Sequence, residues 1–272
     1  MHPKVYFVGA GPGDPDLMTV KGRRMVEQAD VLVYVGSLLS PGCRAFFRNG
    51  AEHHDSKEMT HEQIIEVMVR SVRSGKSVVR LSSGDPSIFG ALAEQLESLE
   101  ENAIPYEIVP GVSSAFAAAA ALFTELTIPE VSQTVIFTRI EGRTPMPPGE
   151  KLSALARHRC TLVLFLSTQY IRDVVAELLE GYPSDTPVAV VQKASWPDEE
   201  RIVRGTLSDI SERVKAARII WTALVIVGPV VDRKNRAPGK RSKLYDSSFS
   251  HGYREAKDPP GGADPKATTA WD

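Results

Sequence analysis

VYFVGAGPGDP, residues 5–15, is a run of β-branched and aromatic residues that ends in glycines and a Gly-Asp-Pro tripeptide. A second stretch, VVRLSSGDP at residues 78–86, repeats this pattern. Such runs are typical of buried strands, and the glycines that follow leave bare backbone beside the end of the strand. Open α/β sheets bind their ligands at the carboxyl ends of their strands. The two Gly-Asp-Pro copies therefore predict one shared crevice.

Strand-like and helical segments alternate through the first half of the chain, which predicts a largely parallel sheet with helices on its faces. Thr60 and Gln63 have capping-box spacing, so a helix is expected to begin after Thr60. Asp14 is expected to cap a helix that runs through Met18 and Met25. The predicted strands lie at residues 5–8, 31–35, 78–81 and 106–109.

The alternation pauses at TIPE, residues 127–130, and a second α/β series follows. We therefore expect an amino-terminal α/β domain over residues 1–124 and a carboxyl-terminal α/β domain over residues 125–231. Residues 232–272 are rich in charged residues, Pro, Gly and Ser, which predicts a disordered tail because little apolar surface is there to offset the entropy of ordering. The strands of the second series are predicted at residues 134–138, 161–166, 188–191, 202–203 and 224–227.

Composition narrows the class of protein. Apolar residues make up 42% of the 272 residues, and the longest apolar run, 115–123, is too short to span a membrane. The amino terminus lacks a signal-peptide pattern, so we expect a cytoplasmic protein without a membrane partner. A net charge of −2 provides no field that would attract nucleic acid, and none is expected as a partner. Cys43 and Cys160 lie far apart, outside any C-x-x-C pattern, so they indicate neither a disulfide framework nor a metal site.

Several familiar motifs are excluded by their spacing. In the glycine-rich loop, Asp14 stands where a dinucleotide fingerprint needs its third glycine, and Pro12 lacks the N–H that a pyrophosphate would bind. A nicotinamide or flavin oxidoreductase is therefore disfavoured. His53 and His54 are adjacent, so on a strand they would point to opposite faces and could not share a metal ion. No metal site is predicted.

SSGDPSIFG, residues 82–90, carries the more specific signal. The Asp85 carboxylate, at a glycine-bracketed strand end, can accept hydrogen bonds from an amine or a ribose diol, and both groups occur on an adenosyl amino acid. A simple turn at Asp85 and Pro86 is the alternative. PGVSS, residues 110–114, offers hydroxyls at a helix start, where they can bind polar ligand atoms or merely cap the helix.

Taken in order, these segments resemble the tetrapyrrole methyltransferase family, and the resemblance covers residues 4 to about 231. It implies two α/β domains with S-adenosyl-L-methionine in the cleft between them, and a homodimer. Within the family, the details resemble the branch that methylates C11 of a corrin precursor in cobalamin biosynthesis. The matching segments are VYVGSL (33–38), SGDPSI (83–88), ELTIPEVSQT (125–134), TR (138–139), GRTP (142–145), KASWPDE (193–199) and TAL (222–224).

The resemblance also implies site residues, with Asp85 as the main polar anchor of the cofactor. The expected cofactor-binding residues are Pro12, Ser83, Gly84, Asp85, Ile88, Ser113, Ser114, Leu166, Ala194, Ala223 and Leu224. Arg139, Arg143 and Lys193 are candidates for binding the carboxylates of a tetrapyrrole substrate. Val35 stands where the uroporphyrinogen-III branch has a catalytic Asp, so no catalytic residue is assigned.

Three alternatives remain open at the level of sequence. A sister enzyme could methylate C17 or C20 of the macrocycle, and a methyltransferase of the same fold could act on RNA or protein. A non-enzymatic carrier of a corrinoid or an adenosyl compound is also compatible with the pattern. The sequence does not distinguish a substrate that contains cobalt from one that does not.

Overall fold

The computed structural model describes residues 1–232 and 242–256, which form two five-stranded sheets. In the first sheet the order is β3-β2-β4-β1-β5, and every neighbouring pair is parallel. All its strands therefore end at one edge. The strands are β1 (Val5–Gly9), β2 (Val31–Tyr34), β3 (Glu52–Asp55), β4 (Val78–Ser82) and β5 (Tyr106–Val109).

Four of these strands match the predicted segments, and β3 was missed. Its sequence, EHHD, has no apolar run, and β3 lies at the edge of the sheet, where a strand needs few buried side chains. His53 is exposed and its ring packs edge-on against Phe47, whereas His54 bonds to Glu52. The two imidazoles thus have separate protein partners.

Local hydrogen bonds from capping side chains mark where most helices of the first half begin. The predicted capping box is confirmed, because Thr60 and Gln63 exchange both bonds at the start of α3. The cap predicted at Asp14 is wrong for the helix through Met25: Asp14 caps only a short 3-10 turn, and Thr19 caps α1 through the N–H of Gly22. The helices of this half are α1 (Val20–Gln28), α2 (Pro41–Arg44), α3 (His61–Arg73), α4 (Leu92–Glu101) and α5 (Ser114–Ala121).

The second sheet has the order β6-β7-β10-β8-β9, in which only the pair β6 and β7 is parallel. Because β10 is antiparallel to both its neighbours, the ends of β6, β7 and β8 and the start of β10 share one edge. The strands are β6 (Val135–Thr138), β7 (Thr161–Leu164), β8 (Pro187–Gln192), β9 (Arg201–Thr206) and β10 (Ala223–Val227). The helices are α6 (Leu152–Ala156), α7 (Ile171–Leu178) and α8 (Ile210–Ala216).

The predicted strand over residues 161–166 is too long. It ends at Leu164, and Leu166 adopts a left-handed φ of 53° with 65% of its surface exposed. Left-handed backbone cannot continue a β ladder. Leu166 therefore lies in the loop that follows the strand.

Helix α5 joins the two sheets. Ala115 and Ala118 are fully buried and pack in one cluster with Val163, Ala189 and Ile226 of the second sheet. The small alanine side chains let the helix approach the sheet closely. The division at residue 124 stays a prediction, since α5 precedes it and yet packs against the second sheet.

Of the predicted tail, residues 232–272, the structure describes residue 232 and residues 242–256. Residues 233–241 and 257–272 lie outside the described residues. Within the described ranges, every helix is too short or too polar to cross a bilayer.

Candidate active site

The two Gly-Asp-Pro loops are in direct contact at the carboxyl edge of the first sheet. Gly11 and Gly84 form an isolated antiparallel bridge, with N···O distances of 3.2 Å from Gly11 to Gly84 and 2.8 Å in return. Their φ angles, 77° and 67°, are left-handed, a conformation that glycine adopts without strain. Each loop thus fixes the backbone of the other.

A third loop, which follows β5, packs against the same glycines. A Cβ on Gly9 would lie 2.5 Å from the Cα of Gly111 and 2.6 Å from the carbonyl oxygen of Gly84. A Cβ on Gly111 would lie 2.2 Å from that same oxygen. These separations exclude any side chain. Three strand ends therefore meet through bare backbone.

Asp85 ties the second loop to the third. One carboxylate oxygen accepts hydrogen bonds from the N–H and hydroxyl of Ser87, and the other accepts from the N–H of Gly111 at 2.8 Å. Burial raises the pKa of the Asp85 carboxyl, but these hydrogen bonds outweigh burial and the pKa is lowered overall. The group is therefore ionised at neutral pH. Each carboxylate oxygen can accept more than one hydrogen, so capacity for a ligand remains.

The matching edge of the second sheet consists of strained loops. Leu166, Lys193 and Thr222 all have left-handed φ angles, between 49° and 53°. Such angles are unfavourable for any residue with a side chain, and most of all for β-branched threonine. The backbone N–H of Lys193 donates to the carbonyl of Thr222 at 2.8 Å, which locks two of these turns together. Strain of this kind is concentrated at functional sites.

The two edges touch at two points, and we call the region between these contacts the cleft. The ring centroids of Phe89 and Phe165 lie 5.3 Å apart. The N–H of Asp14 donates to the Ser195 hydroxyl at 3.1 Å. The strand ends of the first sheet and the loops of the second thus border the same region.

The structure brings most of the predicted cofactor-binding residues to this cleft. A Cβ on Gly84 would lie 3.6 Å from the N of Ser114 and 3.7 Å from the Cα of Ser113. The Ser113 hydroxyl caps α5 through the N–H of Ala115. Exposure differs within the set: Ser83 and Leu166 are exposed, Asp85, Ile88, Ser114 and Ala223 are half-buried, and Pro12, Gly84, Ser113, Ala194 and Leu224 are buried.

The three predicted substrate-binding cations differ in what they already bind. The Arg139 guanidinium donates to the carbonyls of Ile140, Thr144 and Pro145, so it shapes the loop that follows β6. The Lys193 ammonium pairs with Glu199 and lies over an indole ring. Arg143 is exposed and makes no hydrogen bond or ion pair with any residue that the structure describes. Arg143 alone of the three has its donors fully available.

A buried arginine that the sequence reasoning missed supports the second loop. Arg80 is 8% exposed and donates to Gln95 at 3.1 Å and Ser56 at 3.0 Å, and burial lowers its pKa to about 10. Gln95 in turn donates to the carbonyl of Ala91 at 2.7 Å. Ala91 ends the loop in a left-handed conformation. The only available signal was a charged residue inside the apolar strand VVRLS.

Two surface cavities have volumes of about 660 Å³ each. One is lined by the loop from Pro86 into α4, and the other lies between α3 and α4. Phe89 lines the first cavity and also contacts Phe165, so this cavity adjoins the cleft.

Comparison with known proteins agrees with this geometry. The model of the Tetrapyrrole (Corrin/Porphyrin) Methylases matches residues 4–211. The chain belongs to this family. The predicted resemblance and the predicted fold class are confirmed, and the tetrapyrrole methylase fold accounts for the two facing sheets.

The similarity to individual tetrapyrrole methylases extends over nearly the whole chain. The cobalt-precorrin-4 C(11)-methyltransferase of Methanocaldococcus jannaschii is 55% identical over 93% of this chain and 96% of its own length. Other relatives, at 43–49% identity, are named precorrin-4 C(11)-methyltransferase.

Two solved structures extend the comparison. That of a cobalt precorrin-4 methyltransferase, a cobalamin biosynthetic enzyme, has a TM-score of 0.81 at 48% identity and covers 85% of this chain and 96% of its own. A uroporphyrin-III C-methyltransferase from Thermus thermophilus, complexed with S-adenosylhomocysteine, has a TM-score of 0.72 at 31% identity, covering 84% and 98%.

Proposed function

We propose that this protein transfers a methyl group from S-adenosyl-L-methionine to C11 of precorrin-4 or cobalt-precorrin-4 in cobalamin biosynthesis. The observation that carries the proposal is the 55% identity to a cobalt-precorrin-4 C(11)-methyltransferase over 93% of the chain. Similarity that extends over both sheets includes the cleft as well as the fold. The same relatives support a corrin precursor as substrate over RNA or protein.

The residues at the cleft fit the proposed cofactor. The sheet edge at Gly84 and Gly111 is free of side chains, because neither position can carry one without strain or a clash, so a ligand there would meet the backbone directly. The ionised Asp85 suits the ammonium and ribose hydroxyls of an adenosyl amino acid. Ile88 and Leu166 would provide apolar neighbours for its thioether part. When bound, the cofactor supplies an electrophilic methyl group on sulfur.

The chain's own residues are proposed to align the reactants. A methyl on sulfonium already has a good leaving group, so holding donor and acceptor in line supplies much of the rate enhancement. No side chain is needed as a nucleophile, and none is assigned. Arg143 would bind a substrate carboxylate, since an arginine fork matches a carboxylate in two hydrogen bonds. Arg139 and Lys193 would act there only by exchanging their present partners.

The function is tested by incubating the purified protein with methyl-labelled S-adenosylmethionine and precorrin-4, with and without cobalt. We expect one labelled methyl at C11, located by carbon NMR. Label at C17 or C20 would indicate a sister enzyme, and transfer only to RNA or protein would contradict the proposal. Ligand binding without turnover on either substrate would indicate a carrier. The relative rates of the two precorrins identify the natural substrate.

A homodimer is part of the proposal. Phe116 in α5 and Phe123 just after α5 are 56% and 71% exposed, and exposed apolar surface is typical of interfaces between subunits. Sedimentation velocity should give twice the mass of one chain, and a monomer at micromolar concentration would contradict this. We also propose a cytoplasmic location, which agrees with two unpaired, buried cysteines and is tested by cell fractionation.

A further inference from the structure

A buried indole from the second sheet's edge is seated on the first Gly-Asp-Pro loop. Trp196 is 6% exposed, and its Nε1 donates to the carbonyl oxygen of Pro12 at 3.0 Å. A Cβ on Gly13 would lie 2.0 Å from the Cδ1 atom of this indole, so the ring fills the space that glycine leaves. The contact joins residues 184 positions apart. It therefore connects the two sheets.

The loop that Trp196 holds leads to Asp85. Pro12 follows Gly11, which exchanges two backbone hydrogen bonds with Gly84. Gly84 precedes Asp85, whose carboxylate accepts from Gly111. A continuous series of hydrogen bonds and covalent neighbours thus runs from the indole to the proposed anchor of the methyl donor.

The indole is held equally firmly from its own side. The Lys193 ammonium lies 4.7 Å from the centre of the ring, and the backbone N–H of Trp196 donates to the Lys193 carbonyl at 2.9 Å. The N–H of Ser195 donates to the Glu200 carboxylate at 2.7 Å. These contacts fix a turn in which Lys193 and Ser195 are both left-handed. A ring fixed at both ends can transmit position between the sheets.

We propose that Trp196 is a positioning residue for the methyl donor: from the second sheet it fixes residues 11–13, and through them the Gly84 and Asp85 backbone. The inference rests on the proposed function, because it concerns the same cofactor. Small displacements of a bound reactant strongly reduce the rate of an in-line transfer. Trp196 therefore acts by holding residues 11–13, Gly84 and Asp85 in place, without contact to the reacting atoms.

The decisive variant is Trp196→Phe, which keeps an aromatic ring against Gly13 and removes the N–H donor to Pro12. We expect the Kd for S-adenosylhomocysteine, measured by titration calorimetry, to rise by up to about tenfold, because binding must then re-order a loop that has lost one buried hydrogen bond. Hydrogen exchange should accelerate at residues 12–14 and also at Gly84 and Gly111. A lower melting temperature with unchanged Kd, and exchange changes confined to 12–14 and 193–199, would show a merely structural role and overturn the proposal.

A second pair of variants tests the contact itself. Gly13→Ala should displace the indole and so raise the Kd for S-adenosylhomocysteine, as Trp196→Ala does. Because both changes remove the same contact, the Kd of the double variant should rise by less than the product of the two single fold-increases. Independent, multiplicative effects would contradict the proposal. If the alanine variants fail to fold in a thermal melt, the milder Trp196→Phe decides alone.

Emission spectra provide a control for the state of the indole. The blue-shifted emission of a buried tryptophan should disappear in Trp196→Phe and persist in Trp221→Phe, because Trp221 is 61% exposed. Wild-type protein that binds no S-adenosylhomocysteine would contradict the proposed function as well. Normal wild-type binding with an unaffected Trp196→Phe would contradict only the positioning role.

Discussion

The two Gly-Asp-Pro tripeptides have the same sequence and follow equivalent strand ends, yet their aspartates do different work. Asp14 accepts a hydrogen bond from the N–H of Asp16 at 2.9 Å, which closes a local turn. Asp85 accepts from Ser87 within its own loop and from Gly111 on the next strand end. The first carboxylate is therefore local, whereas the second connects two loops of the cleft.

For the backbone the contrast is reversed: the first loop bonds to a distant segment, and the second stays within its own sheet. The carbonyl of Pro12 and the N–H of Asp14 bond to Trp196 and Ser195 of the second sheet. In the second loop, Gly84 pairs with Gly11 within the first sheet. The backbone of one motif thus contacts the second sheet, whereas the side chain of the other connects two loops and is the proposed ligand anchor. The difference arises from their partners, since the tripeptides themselves are identical.

The largest expected effect is a loss of stability when the backbone contacts of both loops are disrupted together. Gly9→Ala should destabilise the protein by about 3 kcal/mol, because the new methyl would overlap backbone atoms of Gly84 and Gly111 that cannot move independently. Urea unfolding measures the change. Gly149→Ala is the matched control, since nothing lies within 4 Å of its Cβ, and it should change stability by less than about 0.5 kcal/mol. Equal stabilities would mean that the loops need no close contact.

The next effect separates the two aspartates. Asp85→Ala should weaken S-adenosylhomocysteine binding about 100-fold, or about 2.7 kcal/mol, because a charged hydrogen-bond acceptor is lost, while the fold survives. Asp14→Ala should cost about 1 kcal/mol of stability, as for a lost cap, and change the Kd less than about twofold. Calorimetric titration of both variants measures the contrast. Equal losses of affinity would remove the distinction between the loops.

The smallest expected effect is a pH dependence of the free energy of unfolding that arises from Asp85. The pKa of Asp85 is lowered in the folded protein, so its stabilising contribution is complete above the unfolded pKa of about 3.9 and is lost as the pH falls through the folded value. The free energy of unfolding of wild type relative to Asp85→Asn should therefore be constant above about pH 5 and decline below about pH 4. Urea titrations from pH 3 to 6 measure it. A difference that grows on acidification would contradict the hydrogen-bonding scheme.

Local sequence patterns predicted much of the fold. Apolar runs located nine of the ten strands among the described residues, and the Thr60 capping box located α3, because these signals depend on neighbours along the chain. The edge strand β3 was missed because it buries little. The end of β7 was placed two residues late because the left-handed turn at Leu166 follows an apolar run without a break. Such a turn is imposed by contacts outside its own segment.

The candidate site was predictable in its glycines and in Asp85, which carry their own chemical signal. The hydrogen-bond network from Arg80 through Gln95 to Ala91 was not, since it joins a strand to a helix and a loop. Neither was the availability of Arg143 relative to Arg139, which differ only in what surrounds them. Residue type indicates what a side chain can bind, and packing decides which partner it has.

The sequence by itself determined the alternating α/β order, the glycine-bracketed strand ends and the resemblance to the tetrapyrrole methyltransferases, because propensity, turn chemistry and motif order are written along the chain. Only the tertiary structure decided that the first Gly-Asp-Pro receives Trp196 and the second reaches Gly111. The physical reason is that both assignments depend on hydrogen bonds and close contacts between distant segments, and identical tripeptides acquire different roles when different surfaces pack against them.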